Sequence, residues 1–220
     1  RRLEYLTDFA ARWGERPHII QGEDVVTFAQ LDQAISAKKQ ELKGLGVKPG
    51  DRIFVLGWNC PEWVVNFWAI LHARAVPVLA NAWWSAAEIA SGLEILKPSL
   101  VLADDHAGAK LPVGTRTGSW ATIANISRPT RDDSSRKEIP RDEGDTAVII
   151  FTSGTSGKPK AVVLSHRALL ARLQMTLHVT RKLPHQIDEL ARDVTLITGP
   201  LFHVGGMQTL LRAIVVGDTL

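Results

Sequence analysis

The sequence has almost no sulfur chemistry: Cys60 is the only cysteine in 220 residues. One thiol cannot close an internal disulfide, so a disulfide-stapled fold is excluded and nothing ties the chain to an oxidising compartment. Cys60 reads as a small, half-buried hydrophobe rather than a reactive thiol. No apolar stretch reaches the roughly 18 residues that a membrane-crossing helix needs. The N-terminus has neither an initiator Met nor the layout of a secretory signal, so the expectation is an excised piece of a cytoplasmic protein. No run of Lys or Arg resembles a nucleic-acid arm, and the net charge of +3 is scattered, which argues against nucleic acid as a partner. No group of His, Cys, Asp and Glu has metal-ligand spacing, and no segment repeats.

What is present is an ordinary globular mix. Hydrophobic residues make up 45% and charged residues 22%, enough to build a sizeable core. From Val25 to Asp105 helix-like and strand-like patches alternate. Thr27 and Gln30 have capping-box spacing, ahead of Phe28, Leu31, Ile35 and Leu42 at helical intervals. Arg52–Gly57 reads as a buried strand, and Pro61 suits the first turn of a helix that carries Val64, Phe67, Trp68 and Leu71. Val76–Leu79 reads as another strand, with Pro77 placing it at a strand start or an edge. Ser85 and Glu88 form a second capping box before Ile89, Leu93 and Leu96, and Leu100–Leu102 is a further strand. This alternation predicts an α/β fold with a mainly parallel sheet flanked by helices.

Residues 127–145, rich in Arg, Asp, Ser and Glu, are too polar to bury much surface and read as a mobile surface connection. Ala147–Phe151 is a continuous apolar run of the central-strand kind. Expected next are a strand at Ala161–Leu164, a helix over about 166–178, a strand at Val194–Thr198, a helix over about 206–216 and a new strand beginning at Asp218–Leu220. The seven Trp residues read as core or surface anchors rather than as a cofactor box.

The segment with chemistry is Thr152-Ser153-Gly154-Thr155-Ser156-Gly157-Lys158-Pro159-Lys160, set between two apolar strands. Gly154 and Gly157 allow positive φ and close backbone approach to a ligand. Successive amides in such a turn form a concave anion site. The hydroxyls of Thr152, Ser153, Thr155 and Ser156 add donors, and Lys158 and Lys160 add positive charge. Such a donor density suits a triphosphate, and it is far richer than a plain Ser/Gly hairpin requires. A Walker loop is excluded by spacing, because Pro159 follows Gly157-Lys158 and a strand rather than a helix comes next.

This segment resembles the signature phosphate loop of the adenylate-forming superfamily, which includes acyl-CoA synthetases, aryl-CoA ligases, luciferases and peptide-synthetase adenylation domains. Ser156 stands where a second Thr is commoner, and Ala161 where a Gly usually follows. Val47–Arg52, Asn59–Trp63 and Gly199–Gly206 also resemble family stretches, the last of them the substrate gate. Arg74 stands where the family usually carries Gly.

The resemblance implies the N-terminal portion of the acyl-CoA synthetase large domain, with residues 47–190 as a main α/β subdomain and 1–46 with 194–220 contributing to a second, incomplete one. It implies a carboxylic acid:CoA ligase, for fatty or aromatic acids, with ATP, Mg²⁺ and coenzyme A. Lys160 and His203 become the catalytic candidates. Thr152 through Lys158 and Lys160 become phosphate-binding candidates, and His203 with Gly205 the acyl-substrate candidates. Adenine, ribose and magnesium ligands are expected further along than Leu220, so the 220-residue stretch is expected to be inactive alone, with uncovered apolar edges that favour self-association. A carrier-protein-loading adenylation enzyme, a fatty acyl-AMP ligase and a non-catalytic nucleotide-binding module remain alternative readings.

Overall fold

The structure is a computed structural model and describes residues 2–123, 142–152 and 159–220. A short 3₁₀ turn, Leu3–Leu6, leads into α1 (Thr7–Ala10). An antiparallel hairpin follows, β1 (Pro17–Gln21) with β2 (Asp24–Thr27). The chain then alternates through α2 (Phe28–Gly44), β3 (Arg52–Leu56), α3 (Pro61–His72), β4 (Val76–Leu79), α4 (Ala86–Leu96), β5 (Leu100–Ala103), α5 (Asp105–Gly108) and β6 (Thr117–Gly118). After the next described stretch begins come β7 (Thr146–Thr152), β8 (Lys160–Ser165), α6 (His166–Val179) and α7 (Val204–Val216).

Six strands form one sheet in the order β6-β5-β3-β4-β7-β8. All neighbours run parallel except β7 and β8, which form an antiparallel pair. Side chains alternate between the faces, as the two-residue strand period requires. Ile53 and Val55 face the cluster that holds α2, α3, α6 and α7, whereas Phe54 and Leu56 face the cluster under α4. The sheet is thus covered by helices on both sides, as the alternation in the sequence predicts. Residues 127–145 fall mostly outside the described residues.

Local signals explain the helix starts. Thr27 accepts from the Gln30 amide at 3.1 Å, and Gln30 Oε1 accepts from the Thr27 amide at 2.8 Å. Ser85 and Glu88 repeat the arrangement at 3.3 and 2.8 Å. At α3, Pro61 occupies the first helical position and Cys60 Sγ accepts from Trp63 N–H at 3.4 Å. Burial raises the Cys60 thiol to about 11, so it stays protonated and unreactive at neutral pH. The sequence assigns α3 one apolar face, but the helix is buried on nearly all sides, Asn66 included. Full burial of Trp63, Phe67 and Trp68 contributes roughly 2–3 kcal/mol each.

Pro77 sits in an interior strand rather than at an edge. Val76 N–H donates to Asp51 O toward β3, so position 77 faces β7, and that pairing starts only at Val78. No amide is needed there. Arg74, after the end of α3, takes φ 63, a left-handed conformation that costs a side-chain-bearing residue about 1–2 kcal/mol.

The expected strand at Val194–Thr198 does not form. Val194 makes a single bridge to Thr219, and Val194 and Leu196 are exposed. Apolar content without a neighbouring ladder does not hold a strand. Residues 218–220 instead run beside β1: Leu220 N–H donates to His18 O at 2.7 Å and Ile20 N–H to Leu220 O at 2.8 Å. α7 also starts two residues earlier than the glycines at 205 and 206 indicate.

His18 is fully buried under this junction, 4.1 Å from the Phe28 ring. The Asp218 carbonyl, 3.0 Å from Nδ1, can only accept, so Nδ1 carries the proton and Nε2 is left buried without a partner. Burial pulls the His18 pKa from 6.5 down to about 4. The folded state therefore resists protonation, and stability present above pH 6.5 is lost as the pH falls toward 4. Denaturant titrations at stepped pH should show this loss. His18→Gln should reduce the slope between those values by up to about 1.4 kcal/mol per pH unit; an unchanged slope contradicts the burial account.

Candidate functional site

Parallel pairing puts the carboxyl ends of β3, β4, β5 and β7 along one edge, where ligands bind in α/β sheets. Gly57, Trp58 and Asn59 follow β3, Trp83 follows β4, Asp104 follows β5, and Thr152 ends β7. Asp104 braces the edge: Oδ1 caps α5 through Ala107 N–H at 2.7 Å, and Oδ2 accepts from Trp58 N–H at 2.9 Å.

Asn59 joins this edge to the segment before α7. Its Nδ2 donates to Gly199 O at 2.9 Å, and its Oδ1 accepts from Leu201 N–H at 2.8 Å. The amide thus imitates a strand neighbour for a loop 140 residues away. An aromatic row continues the anchor. Trp58 meets Trp83 edge-on at 5.1 Å, Trp83 meets Phe202 at 5.3 Å, and the Phe202 ring lies 4.9 Å from His203. Trp58 and Trp83 are 40% and 58% exposed, unlike the fully buried Trp63 and Trp68, so the row lines the surface of this edge.

His203 is exposed and is the N-cap of α7, with no side-chain cap bond. The first intrahelical bond is Met207 N–H to His203 O at 3.0 Å. The amides of Val204, Gly205 and Gly206 precede it and point toward solvent or an anion, at the positive end of the helix. Gly206 is demanded by packing, because a Cβ there would lie 2.3 Å from Pro200 O. Gly205 is different: a Cβ there would meet nothing within 4 Å, so this glycine leaves room beside the helix.

Thr152 and Lys160 are cross-strand partners at the open end of the β7–β8 pair, and both are exposed. The Thr152 hydroxyl reaches Lys160 O only at 3.5 Å, a limiting contact that leaves it able to serve a ligand. Ala161 faces Phe151 and packs on the cluster under α4. Ser153, Gly154, Thr155, Ser156, Gly157 and Lys158 lie outside the described residues. β8 in place of a helix after the loop agrees with the exclusion of a Walker fold. β3 and β7 are separated by β4 alone, about 10 Å for two strand spacings. The Thr152–Lys160 pair and the His203 helix start, held to the exit of β3, therefore belong to one edge.

The donor set is a hydroxyl, an ammonium and free helix amides, which suits a polyphosphate or a carboxylate. Both Asp104 oxygens are already taken by amides. Among the described residues no group of three or more His, Cys, Asp or Glu could hold a metal. Trp58, Trp83 and the clamping role of Asn59 were not singled out by sequence reasoning. The available signal was the placement of Trp58 and Asn59 directly between a strand and the Pro-started α3.

Residues 6–220 match the protein family described as AMP-binding enzyme. A 2-succinylbenzoate–CoA ligase of Bacillus cereus is 32% identical over 199 residues, 89% of this chain and 38% of that protein. A 4-coumarate–CoA ligase-like protein of Oryza sativa is 30% identical over 184 residues, 80% of this chain and 34% of its own length. The chain thus spans well under half of these curated relatives. Among solved structures, the O-succinylbenzoate coenzyme A synthetase of Bacillus subtilis in complex with AMP aligns with a TM-score of 0.77 and 25% identity, covering 98% of this chain and 54% of the other. The N-terminal subdomain of NpsA from Klebsiella oxytoca shares the fold, with a TM-score of 0.82 at 23% identity over 100% of this chain and 54% of its own.

Replacing Asn59 by Ala should cost about 2 kcal/mol, because Leu201 N–H and Gly199 O lose a shared partner. Chemical denaturation and amide exchange at Leu201 check this. Unchanged exchange at Leu201 in the variant contradicts the clamp.

Proposed function

The chain belongs to the family of AMP-binding enzymes, and from that premise we propose that it carries the phosphate loop and acyl gate of an ATP-dependent carboxylic acid:CoA ligase. The observation that carries this reading is the placement of Thr152 and Lys160, the two described ends of the loop, on the sheet edge that also holds the His203 helix start. One relative named above is a 2-succinylbenzoate–CoA ligase and the other carries a 4-coumarate–CoA ligase-like name, which favours an aromatic acid over a fatty one.

A carboxylate oxygen attacks the α-phosphorus of ATP, forming acyl-AMP and breaking the bond to pyrophosphate. The sulfur of coenzyme A then attacks the acyl carbon, forming the thioester and expelling AMP. No protein nucleophile is required, so the protein acts by positioning and by stabilising charge. The Thr152 hydroxyl and the Lys160 ammonium, with the loop between them, hold the polyphosphate. Mg²⁺, when bound with the nucleotide, would neutralise part of the polyphosphate charge. His203 and the amides of Gly205 and Gly206 orient the carboxylate. Two hydrogen bonds from Asn59 keep that helix start in place.

The division into a subdomain of residues 47–190 and a second one from 1–46 with 194–220 belongs to the same proposal. It is supported by β1 and β2, which form a sheet of their own, and by the bonds of Leu220 along β1. So do a cytoplasmic location, self-association through uncovered apolar edges and inactivity of the 220-residue stretch by itself.

Acid-dependent ATP–pyrophosphate exchange by the protein in its full encoded length tests the reading. Lys160→Ala and Thr152→Ala should each slow exchange by a factor of about 100–1,000, roughly 3–4 kcal/mol of lost charge stabilisation. His203→Ala should act mainly through the acid, raising its KM and lowering kcat. Undiminished exchange in both loop variants overturns the assignment. Thioester formation with free coenzyme A separates a CoA ligase from an enzyme that loads a carrier protein.

A further inference from the structure

Between α6 and α7 lies a groove of about 520 Å³. Arg172 and Thr176 line it from α6, and Gly205, Gln208, Thr209 and Arg212 from α7. Positions 205, 208, 209 and 212 share one helix face. The wall therefore runs about 10 Å along the axis, seven residues at about 1.5 Å each, away from the helix start at His203.

The wall changes character along that length. At the near end Gly205 offers open room, with no atom within 4 Å of a built Cβ. At the far end of that wall stands the Arg212 guanidinium, and Arg172 lines the groove from α6. Arg172 is exposed, and its guanidinium has no partner among the described residues. Arg212 uses Nη2 for Thr195 Oγ1, at 3.1 Å, and for the Asp218 carboxylate. Asp218 is shared with Lys182 at 3.8 Å, and Lys182 also pairs with Asp193. Arg212 and Lys182 thus balance Asp218 and Asp193, which leaves the charge of Arg172 over. Midway along the wall, both polar atoms of the Gln208 side chain are buried without a partner. Gln208 also lines the groove, so an unpaired amide stands beside it. A pocket for a plain hydrocarbon tail needs neither feature, and burying an apolar tail against an unpaired guanidinium is unfavourable.

We propose that this groove reads the far end of the acid, and that the substrate carries a second anionic group, a carboxylate, remote from the one activated beside His203. Arg172 supplies the charge, Gln208 a hydrogen bond, and Gly205 the space through which the body of the acid passes. The proposal rests on the ligase reading and names the substrate class of that site.

The test uses the protein in its full encoded length and acids matched in length. One pair is 3-phenylpropanoate and 3-(4-carboxyphenyl)propanoate; another is octanoate and octanedioate. ATP–pyrophosphate exchange gives kcat/KM for each. The diacid of at least one pair should exceed its monoacid by about tenfold or more, the discrimination available to a site built to bond a polar group. Arg172→Ala should lower the diacid-to-monoacid ratio about tenfold, chiefly through the KM of the diacid. Arg172→Glu should lower it further, and Arg172→Lys should restore part of it. Equal use of both members of each pair, or an unchanged ratio in Arg172→Ala, overturns the proposal while leaving the ligase standing. Absence of exchange with every acid overturns the ligase reading and this inference with it.

Discussion

The parallel pairing of β3, β4 and β7 is the constraint on which the rest depends. Val55 sits opposite Leu79, and Leu79 opposite Ile150. In that register three chain segments, distant in sequence, end on the same edge within two strand spacings. A one-residue slip would turn every inward side chain of a strand to the other face, and both faces here are filled. The packing of α3 on one side and α4 on the other thus fixes where Thr152 and Asn59 emerge.

From that edge the site is assembled by polar contacts rather than by further burial. Asp104 holds the exit of β3 through Trp58 N–H, and Asn59 holds the segment that ends in His203. Gly206 allows the α7 start to lie against Pro200, where no side chain fits. The helix start then offers amides to an anion, while the β7–β8 pair offers Thr152 and Lys160 from the other side. In the proposed reading, a sheet edge, a helix terminus and two cross-strand residues together supply the donors of an anion site.

Much of this was legible in the sequence because its signals are local. The capping boxes at Thr27 and Ser85 sit three residues from their partners, and the apolar run before Thr152 identifies β7 by itself. The proposed phosphate loop and the proposed gate around His203 are contiguous motifs, so the sequence alone suggests them. What was not legible depends on distant partners. Val194–Thr198 has strand composition, but among the described residues its one β-bridge is Val194 with Thr219. The Trp residues look alike in sequence, yet Trp63 is packed inside α3 while Trp83 stands on the edge against Phe202. Arg74 stands where the resembling family usually carries Gly, and the backbone angle adds the reason, a left-handed turn. No hairpin is expected at β1–β2 from the sequence, although two apolar pairs, Ile19-Ile20 and Val25-Val26, flank Gly22.

The central claim is that the ends of the phosphate loop and the start of α7 form one anion-binding edge. Hydrogen–deuterium exchange of the full encoded protein, with and without Mg-ATP, addresses it directly. The account predicts slower exchange in peptides covering 150–162 and in those covering 202–207, rising together with ATP concentration. Protection confined to other segments, or none in either of these two, would contradict it.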